Sequence, residues 1–281
     1  MYQPPVPRTF NLIIVVVCVC IAVLFGPFFR DLLRVWLSDP EFSFGILIPV
    51  IVAYLLWSRR QLLKNLVSNS YLPGLGIASL GCLLLVLGSL GASLLLTGVA
   101  FILVLEGTAA FLFGVKVLRA IGGRLALLIL MVPLPSYVVG QLAWRLQSMA
   151  STISGGILRL FGIPVLQDGN ILKLPDYVLE VKQACSGSRS IFALLALAIF
   201  LGLNLERKWL VRCVLVITAP ILAVGANVIR IVGTGVIARN WGALAANESL
   251  HAAWGMVVFV LAVSGLVAIR KAMRWATESH S

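Results

Sequence analysis

The chain has 281 residues, of which 60% are hydrophobic and only 11% are charged, so it is too apolar to form a water-soluble domain. Its formal net charge is +12, but the basic residues occur in short clusters between apolar segments. This pattern indicates a polytopic membrane protein and argues against a nucleic-acid-binding protein.

Five apolar segments before residue 136 each predict a membrane-spanning helix. The first, Phe10–Phe29, holds about twenty residues, enough to cross ~30 Å of hydrocarbon at ~1.5 Å per residue. We expect a short polar loop, Arg30–Glu41, to follow it. The other predicted spans are Phe42–Trp57, Tyr71–Leu90, Ala92–Phe113 and the segment from Arg124 to the Pro133-Leu134-Pro135 break.

Glu106 lies inside the fourth of these spans, where a carboxylate is costly. One interpretation is a functional group at membrane depth. The other is a carboxylate near the cytoplasmic end that pairs with a neighbouring lysine or arginine. The second interpretation predicts an ion pair, and the first does not.

The segment 136–184 changes from continuous apolar sequence to a mixed pattern. In its first part polar and apolar residues interleave, which predicts a helix lying partly in the membrane interface. Short apolar runs then alternate with Pro164, Pro175 and the turn sequence Asp168-Gly169-Asn170, which predicts a small β-hairpin outside the bilayer. We therefore interpret 136–184 as an extracytoplasmic insertion within a single integral membrane domain, 1–281.

Three further apolar segments predict the last spans, Ser186–Leu203, Cys213–Ala238 and Leu250–Ile269. The predicted fold class is all-α, a polytopic bundle of about eight transmembrane helices. If eight spans alternate in direction, the basic clusters fall on one side, and the positive-inside rule puts that side and both termini in the cytoplasm. The clusters contain Arg8, Arg59, Arg60, Lys64, Lys116, Arg119, Arg124, Arg207, Lys208, Arg212, Arg270, Lys271 and Arg274.

Cys185 lies where a polar segment meets the apolar run of the sixth span. A thiol in the first turn of a helix lies among backbone N–H groups without helical partners, and these favour the reactive thiolate. A small packed cysteine at a helix start is the alternative. The other cysteines lack the paired spacing of a zinc or disulfide site and are predicted to be packing residues. They are Cys18, Cys20, Cys82 and Cys213.

Three polar residues on consecutive spans are predicted at one depth. Counted from the basic cluster at the cytoplasmic end of each helix, Cys185 lies ~33 Å away, Arg230 ~27 Å and His251 ~28 Å, each close to the hydrocarbon thickness. A thiol, a guanidinium and an imidazole are therefore expected at the extracytoplasmic boundary.

Each of these residues also has a structural interpretation. Arg230 either extends its guanidinium to the interface or, with Asn227 one turn away, presents donors to a cavity. His251 is either a buried histidine or a proton carrier, since imidazole titrates near neutral pH. Arg189, one turn after Cys185, either favours the thiolate or packs between helices.

These residues occur in three ordered motifs that resemble those of the exosortase/archaeosortase family of membrane transpeptidases. The motifs are the ACSGSRS block at 184–190, the pair Asn227 and Arg230, and His251 followed by Gly255 and Phe259. The resemblance extends over about residues 36–269. Three positions depart from the family pattern, and they are Gln183, Phe44 and Ala252.

The resemblance implies a membrane cysteine protease and transpeptidase that cleaves exported proteins at a C-terminal sorting signal of the PEP-CTERM kind and transfers them to a cell-surface acceptor. It implies that Cys185 is the nucleophile, that Arg230 stabilises the oxyanion and that His251 transfers the proton; Arg189 stays open as the alternative principal partner of the oxyanion. The remaining motif residues are expected to support these: Arg189, Asn227, Ser186 and Gly187.

The same resemblance implies the surroundings of the protein. The expected partners are the sorting signal of secreted proteins, membrane lipid and an exopolysaccharide biosynthesis system, without nucleic acid, cofactor or metal. The expected location is the inner (plasma) membrane, with the active site at the extracytoplasmic face. Two other functions remain open, namely a cysteine protease that only hydrolyses, and a transporter or assembly factor for extracellular polysaccharide.

Overall fold

The structure is a computed structural model that describes residues 8–39, 41–175, 178–181, 188–206, 208–241 and 248–278. Its internal contacts divide the chain into two compact units, Met1–Pro133 and Leu134–Ser281. Helices dominate both units, as the hydropathy of the sequence predicts.

The regular elements of the first unit are all helices within its described residues. Two short 3₁₀ helices, Ser43–Ile46 and Ala126–Met131, interrupt the α-helices. The α-helices are α1 Arg8–Leu24, α2 Gly26–Ser38, α3 Leu47–Trp57, α4 Arg60–Leu66, α5 Pro73–Leu90, α6 Leu94–Phe113 and α7 Val115–Leu125.

Helices α5 and α6 form a close antiparallel pair. A Cβ atom on Gly81 of α5 would lie 2.9 Å from the backbone nitrogen of Val104 and 3.0 Å from the carbonyl oxygen of Ala100, both on α6. Only glycine permits this approach, which maximises van der Waals contact between spans where no hydrophobic force acts. The turn between them ends at Ser93, whose hydroxyl caps α6 by accepting from the backbone N–H of Leu96.

The prediction of a polar loop at Arg30–Glu41 is wrong, because helix α2 covers most of this segment. The chain bends by 59° between α1 and α2 and continues as helix to Ser38. Helix α2 is amphipathic, with Phe28 and Leu32 buried and its charged residues exposed. The charges suggested a loop, whereas their helical spacing leaves an apolar face that packs inward.

The region of the predicted fifth span is not one continuous α-helix. It consists of the short helix α7 and the 3₁₀ helix Ala126–Met131. The indole Nε1 of Trp36 donates a hydrogen bond of 2.9 Å to the carbonyl oxygen of Met131. Hydropathy does not reveal this break in the α-helix. The carbonyl oxygen of Met131 lies at the break, and the side chain of Trp36, which is distant in the sequence, satisfies it.

The second unit combines long helices with a small sheet, and this confirms the predicted hairpin. Strands β1 Leu166–Asp168, β2 Ile171–Lys173 and β3 Val178–Glu180 pair antiparallel in that order. Gly169 has φ +59 in the turn between β1 and β2, a conformation that favours glycine. The helices of this unit are α8 Ser136–Leu160, α9 Ser188–Leu205, α10 Trp209–Trp241 and α11 Glu248–Glu278.

Among the described residues, four helices are long and apolar enough to cross a membrane, or up to six if two interrupted helix pairs each form one span. The long ones are Pro73–Leu90, Leu94–Phe113, Trp209–Asn240 and Ala253–Ala276. This confirms a helical polytopic membrane protein, whereas the count of eight stays a prediction. Two shorter apolar helices, Ser43–Trp57 and Ser190–Leu205, lie where further spans were predicted.

An ion pair fixes one end of the helices α9, α10 and α11. The Nε of Arg270 on α11 lies 2.5 Å from a carboxylate oxygen of Glu206, which follows α9, and both side chains are largely buried. The guanidinium of Arg212 on α10 donates two hydrogen bonds, 3.0 and 2.7 Å long, to the carbonyl oxygen of Glu206. The end of α9, the start of α10 and the later part of α11 therefore meet at one level.

Candidate active site

Helix α10 carries the candidate residues Asn227 and Arg230 at the end opposite Glu206. It remains helical through Pro220, so both residues lie on one continuous element. Asn227 is 5% exposed and Arg230 is half-buried. Their separation of three residues puts them on one face of the helix, as predicted.

Helix α11 crosses α10 immediately beside Arg230. A Cβ atom on Gly233 would lie 2.7 Å from the Trp254 ring. The indole Nε1 of Trp254 donates a hydrogen bond of 3.2 Å to the carbonyl oxygen of Arg230. Thr234 donates to the same oxygen at 2.9 Å, so this carbonyl is held by a second helix as well as by its own.

The guanidinium of Arg230 lies directly against Gly255 of α11. A Cβ atom on that glycine would be 3.3 Å from both Cζ and Nε of Arg230 and 3.6 Å from Nη1. The Nε atom is buried. Gly255 therefore provides the space in which the arginine head group fits between the helices.

His251 lies on α11 four residues, or about one helical turn, before Gly255. Phe259 lies one turn after it and packs against the apolar core shared by α9, α10 and α11. Positions 251, 255 and 259 thus form one stripe along α11, on the face that contacts α10. The structure describes the backbone of His251, and its side chain lies outside the described part.

The predicted nucleophile Cys185, with Ser186 and Gly187, lies outside the described residues, and Arg189 is described only as a backbone position in the first turn of α9. Val181, the last described residue before Cys185, is buried and hydrogen-bonded. Val181 is 1% exposed, and it exchanges hydrogen bonds with Asn170, whose side-chain amide donates to its carbonyl oxygen at 3.1 Å.

The sheet brings Val181 to the same part of α10 as Arg230. Val181 belongs to an apolar cluster that includes Val228 and Ile231, the residues that bracket positions 229 and 230. Helix α8 contributes Ala150 and Leu158 to this cluster. The sheet and α8 therefore enclose the Arg230 region of α10.

Two serines of α8 were not singled out by the sequence pattern. Ser151 and Ser154 are both 0% exposed, and their hydroxyl groups have no hydrogen-bond partner among the described residues. A buried hydroxyl without a partner costs ~1–3 kcal/mol. The only sequence signal is their position among small residues on one helix face, beside Ala150 and Gly155.

An apolar groove of about 310 Å³ lies along α10 in the second unit, and Arg230 does not line it although its neighbours Val228 and Ile229 do. It lies between the last turns of α8, the later part of α10 and the start of α11. Its lining residues are Ile157, Phe161, Val228, Ile229, Val232, Gly233 and Trp254. The groove therefore offers an apolar surface on the part of α10 that carries Arg230.

Glu106, the other candidate, lies on α6 in the first unit. Its carboxylate approaches α7, where a Cβ atom on Gly122 would be 3.6 Å from Oε1. Among the described residues it forms no ion pair with a lysine or arginine. The ion-pair interpretation of Glu106 therefore finds no support in this part of the chain.

Comparison with known families gives one match that spans most of the chain. Residues 36–268 match the family described as "Transmembrane exosortase (Exosortase_EpsH)". The chain belongs to the transmembrane exosortase family. The search of curated proteins and the search of solved structures found no match.

The match confirms the family resemblance and gives the protein a general exosortase-type function in the membrane. Exosortases are generally cysteine-type transpeptidases. The matched range contains Cys185, Arg230 and His251, and it extends over both compact units.

Proposed function

We propose that this exosortase is a cysteine peptidase and transpeptidase in which Cys185, Arg230 and His251 carry the reaction. The observation that carries the proposal is the position of the Arg230 guanidinium against Gly255, one helical turn from His251. The backbone positions of Arg230 on α10 and His251 on α11 therefore lie near the point where these two helices cross.

The chemistry assigns a separate role to each residue. The Cys185 thiolate attacks the scissile carbonyl carbon and forms a tetrahedral oxyanion, which the Arg230 guanidinium stabilises. The intermediate collapses to a thioester as the C–N bond breaks, and His251 protonates the departing amine. His251 then removes a proton from the acceptor nucleophile, which attacks the thioester carbonyl carbon; the C–S bond breaks, the product leaves and the Cys185 thiolate is restored.

Chain connectivity supports the inclusion of Cys185. Cys185 is four positions after Val181, and an extended chain spans at most ~3.5 Å per residue, or ~14 Å in total. Val181 is packed in the cluster that contains Val228 and Ile231 of α10. Three residues after Cys185, Ser188 begins α9, whose Ile191 is buried against α10 and α11.

The proposed substrate is an exported protein with a C-terminal sorting signal of the PEP-CTERM kind, namely a short motif, a membrane helix and a basic tail. Its membrane helix would deliver the scissile bond to the depth of Arg230, which supplies the orientation that accelerates the reaction. The proposed acceptor lies at the cell surface, and the proposed functional link is to an exopolysaccharide biosynthesis system. The apolar groove lined by Val228, Ile229 and Val232 of α10 is compatible with an apolar substrate segment near the scissile bond.

We further propose that the site lies at the extracytoplasmic face of the inner membrane and that both termini are cytoplasmic. The end of the second unit that holds Glu206, Arg212 and Arg270 is rich in basic residues, as cytoplasmic ends are. Arg230 lies 18 residues along α10 from Arg212, which corresponds to ~27 Å of helix. That distance is close to the hydrocarbon thickness.

The test is to replace Cys185 with alanine and to follow the processing of a reporter that carries a sorting signal. We expect cleavage to stop while the amount of protein in the membrane stays unchanged. The matched control is Cys213→Ala, since Cys213 is a free, partly buried cysteine of α10. Continued cleavage by Cys185→Ala would exclude the thiol mechanism.

The mass of the product distinguishes transfer from hydrolysis. A C-terminus joined to an acceptor supports a transpeptidase, and a free carboxylate supports a protease that only hydrolyses. Membrane transporters commonly bind their substrate at interrupted helices, whereas α10 continues as helix through Pro220. A transporter also gives no reason for a thiol reagent applied from outside to label Cys185 selectively.

A further inference from the structure

The first unit contains a second polar feature that the proposed reaction does not use. It is a pocket of about 270 Å³ between the end of α3, helix α4 and helix α7. Three arginines line it together with apolar residues. The lining residues are Leu55, Leu56, Arg59, Leu62, Leu63, Arg119, Ala120, Ile121 and Arg124.

The arginines converge from separate elements. Arg59 lies between α3 and α4, whereas Arg119 and Arg124 are five residues apart on α7. Arg124 is half-buried, its Nε is buried, and its Nη1 donates to the carbonyl oxygen of Ala120, which fixes the side chain along its own helix. Three arginine side chains therefore line one small volume.

The pocket lacks an acidic lining residue that would balance these charges. Arg59 and Arg119 form no ion pair with any residue in the described ranges. Glu106 approaches α7 at Gly122, but it does not line the pocket. Arg59 and Arg119 therefore leave two like charges on one small pocket, and an anion bound there would relieve their repulsion.

The pocket also lies at the level where the membrane spans of the first unit end. The span α6 ends at Phe113, Gly114 turns the chain with φ +89, and α7 begins at Val115. On α3, Trp57 is 61% exposed and the guanidinium of Arg60 lies 4.4 Å from the centre of its ring. An exposed tryptophan beside arginines is typical of the membrane–water interface.

We propose that this pocket binds the phosphate group of an anionic phospholipid. Guanidinium groups match phosphate geometry with paired hydrogen bonds, and basic pockets between membrane helices commonly bind acidic head groups. The leucines of α3 and α4 give the pocket an apolar wall for the first part of an acyl chain, and Leu62 is 48% exposed on this side. A free phosphate ion would make no use of that wall.

The experiment measures lipid binding by the purified full-length protein. We expect native mass spectrometry to show retained phosphatidylglycerol, and we expect added phosphatidylglycerol to raise the unfolding temperature more than phosphatidylcholine does. The double variant Arg59→Gln, Arg119→Gln removes two exposed cations without disturbing a buried contact. It should weaken phosphatidylglycerol binding by about fivefold for each arginine.

The matched control is Arg60→Gln, which removes a neighbouring exposed arginine that does not line the pocket. Equal phosphatidylglycerol binding by the double variant and this control would overturn the proposal. Equal retention of phosphatidylcholine by the unaltered protein would also overturn it, because charge would then play no part. If inorganic phosphate alone reproduces the thermal shift, the site binds free phosphate and the lipid assignment is wrong.

Discussion

The contact between Arg230 and Gly255 gives the sharpest prediction about the proposed reaction. A methyl group introduced by Gly255→Ala would lie 3.3 Å from Cζ and Nε of Arg230. Non-bonded heavy atoms prefer a separation of about 3.5–4.0 Å, so the guanidinium must move by roughly 0.2–0.7 Å. The helix crossing itself keeps its anchor, because Trp254 still donates to the Arg230 carbonyl oxygen.

This displacement should reduce the rate of cleavage more than it reduces stability. Loss of an oxyanion donor costs about 10²–10³ in rate, and a misplacement of ~1 Å costs about 10². A smaller shift should therefore slow single-turnover cleavage by about tenfold. The measurement is the time course of reporter cleavage by purified enzyme in detergent, with the unfolding temperature measured in parallel.

The control substitution is Gly225→Ala, on α10 one turn and a half before Arg230. A Cβ atom there would meet no heavy atom within 4 Å, so the change tests the general effect of removing a glycine from these helices. We expect cleavage at the unaltered rate. Equal rates for Gly255→Ala and Gly225→Ala would contradict the role assigned to Arg230.

Three further predictions concern folding. Glu206→Ala leaves the buried guanidinium of Arg270 without its carboxylate, and it should lower the free energy of unfolding by about 3 kcal/mol in detergent denaturation; an unchanged value would contradict the ion pair. Gly81→Val should reduce the yield of folded protein because a Cβ atom there contacts α6 backbone, whereas Gly76→Ala, which meets open space, should leave the yield unchanged. Ser154→Ala removes a buried hydroxyl without a partner among the described residues, so the unfolding temperature should hold or rise; a marked fall would indicate a partner for this hydroxyl.

Hydropathy predicts the long spans well, because their apolar length is encoded locally. The helices Pro73–Leu90 and Leu94–Phe113 lie within two residues of their predicted boundaries. The same criterion fails at α2, where Arg30 and Asp31 suggested a loop although Phe28 and Leu32 form a buried face. At α2 the helical spacing of the apolar residues indicates the observed helix, whereas the mean hydropathy of the segment indicates a loop.

In the candidate site, too, the sequence predicts the depth of a residue along its own helix but not its contacts with other helices. Counting along the helices predicted Arg230 and His251 at one depth, and the structure places Arg230 against Gly255, one turn from His251. Counting does not predict the hydrogen bond from Trp254 or the buried hydroxyl of Ser151, since both depend on which helix faces pack together. The three arginines of the first-unit pocket appeared in sequence only as indicators of topology.

The ion pair between Glu206 and Arg270 has a consequence for biosynthesis. Its partners are 64 residues apart, so the ribosome makes the carboxylate first and, at roughly 5–20 residues per second, supplies the guanidinium several seconds later. During that interval the carboxylate of Glu206 lacks the guanidinium of Arg270, so it must stay in contact with water or with the membrane-insertion machinery. Arrival of α11 supplies the Arg270 guanidinium that pairs with this carboxylate, so α9 and α10 gain their buried ion-pair partner only once α11 has been made.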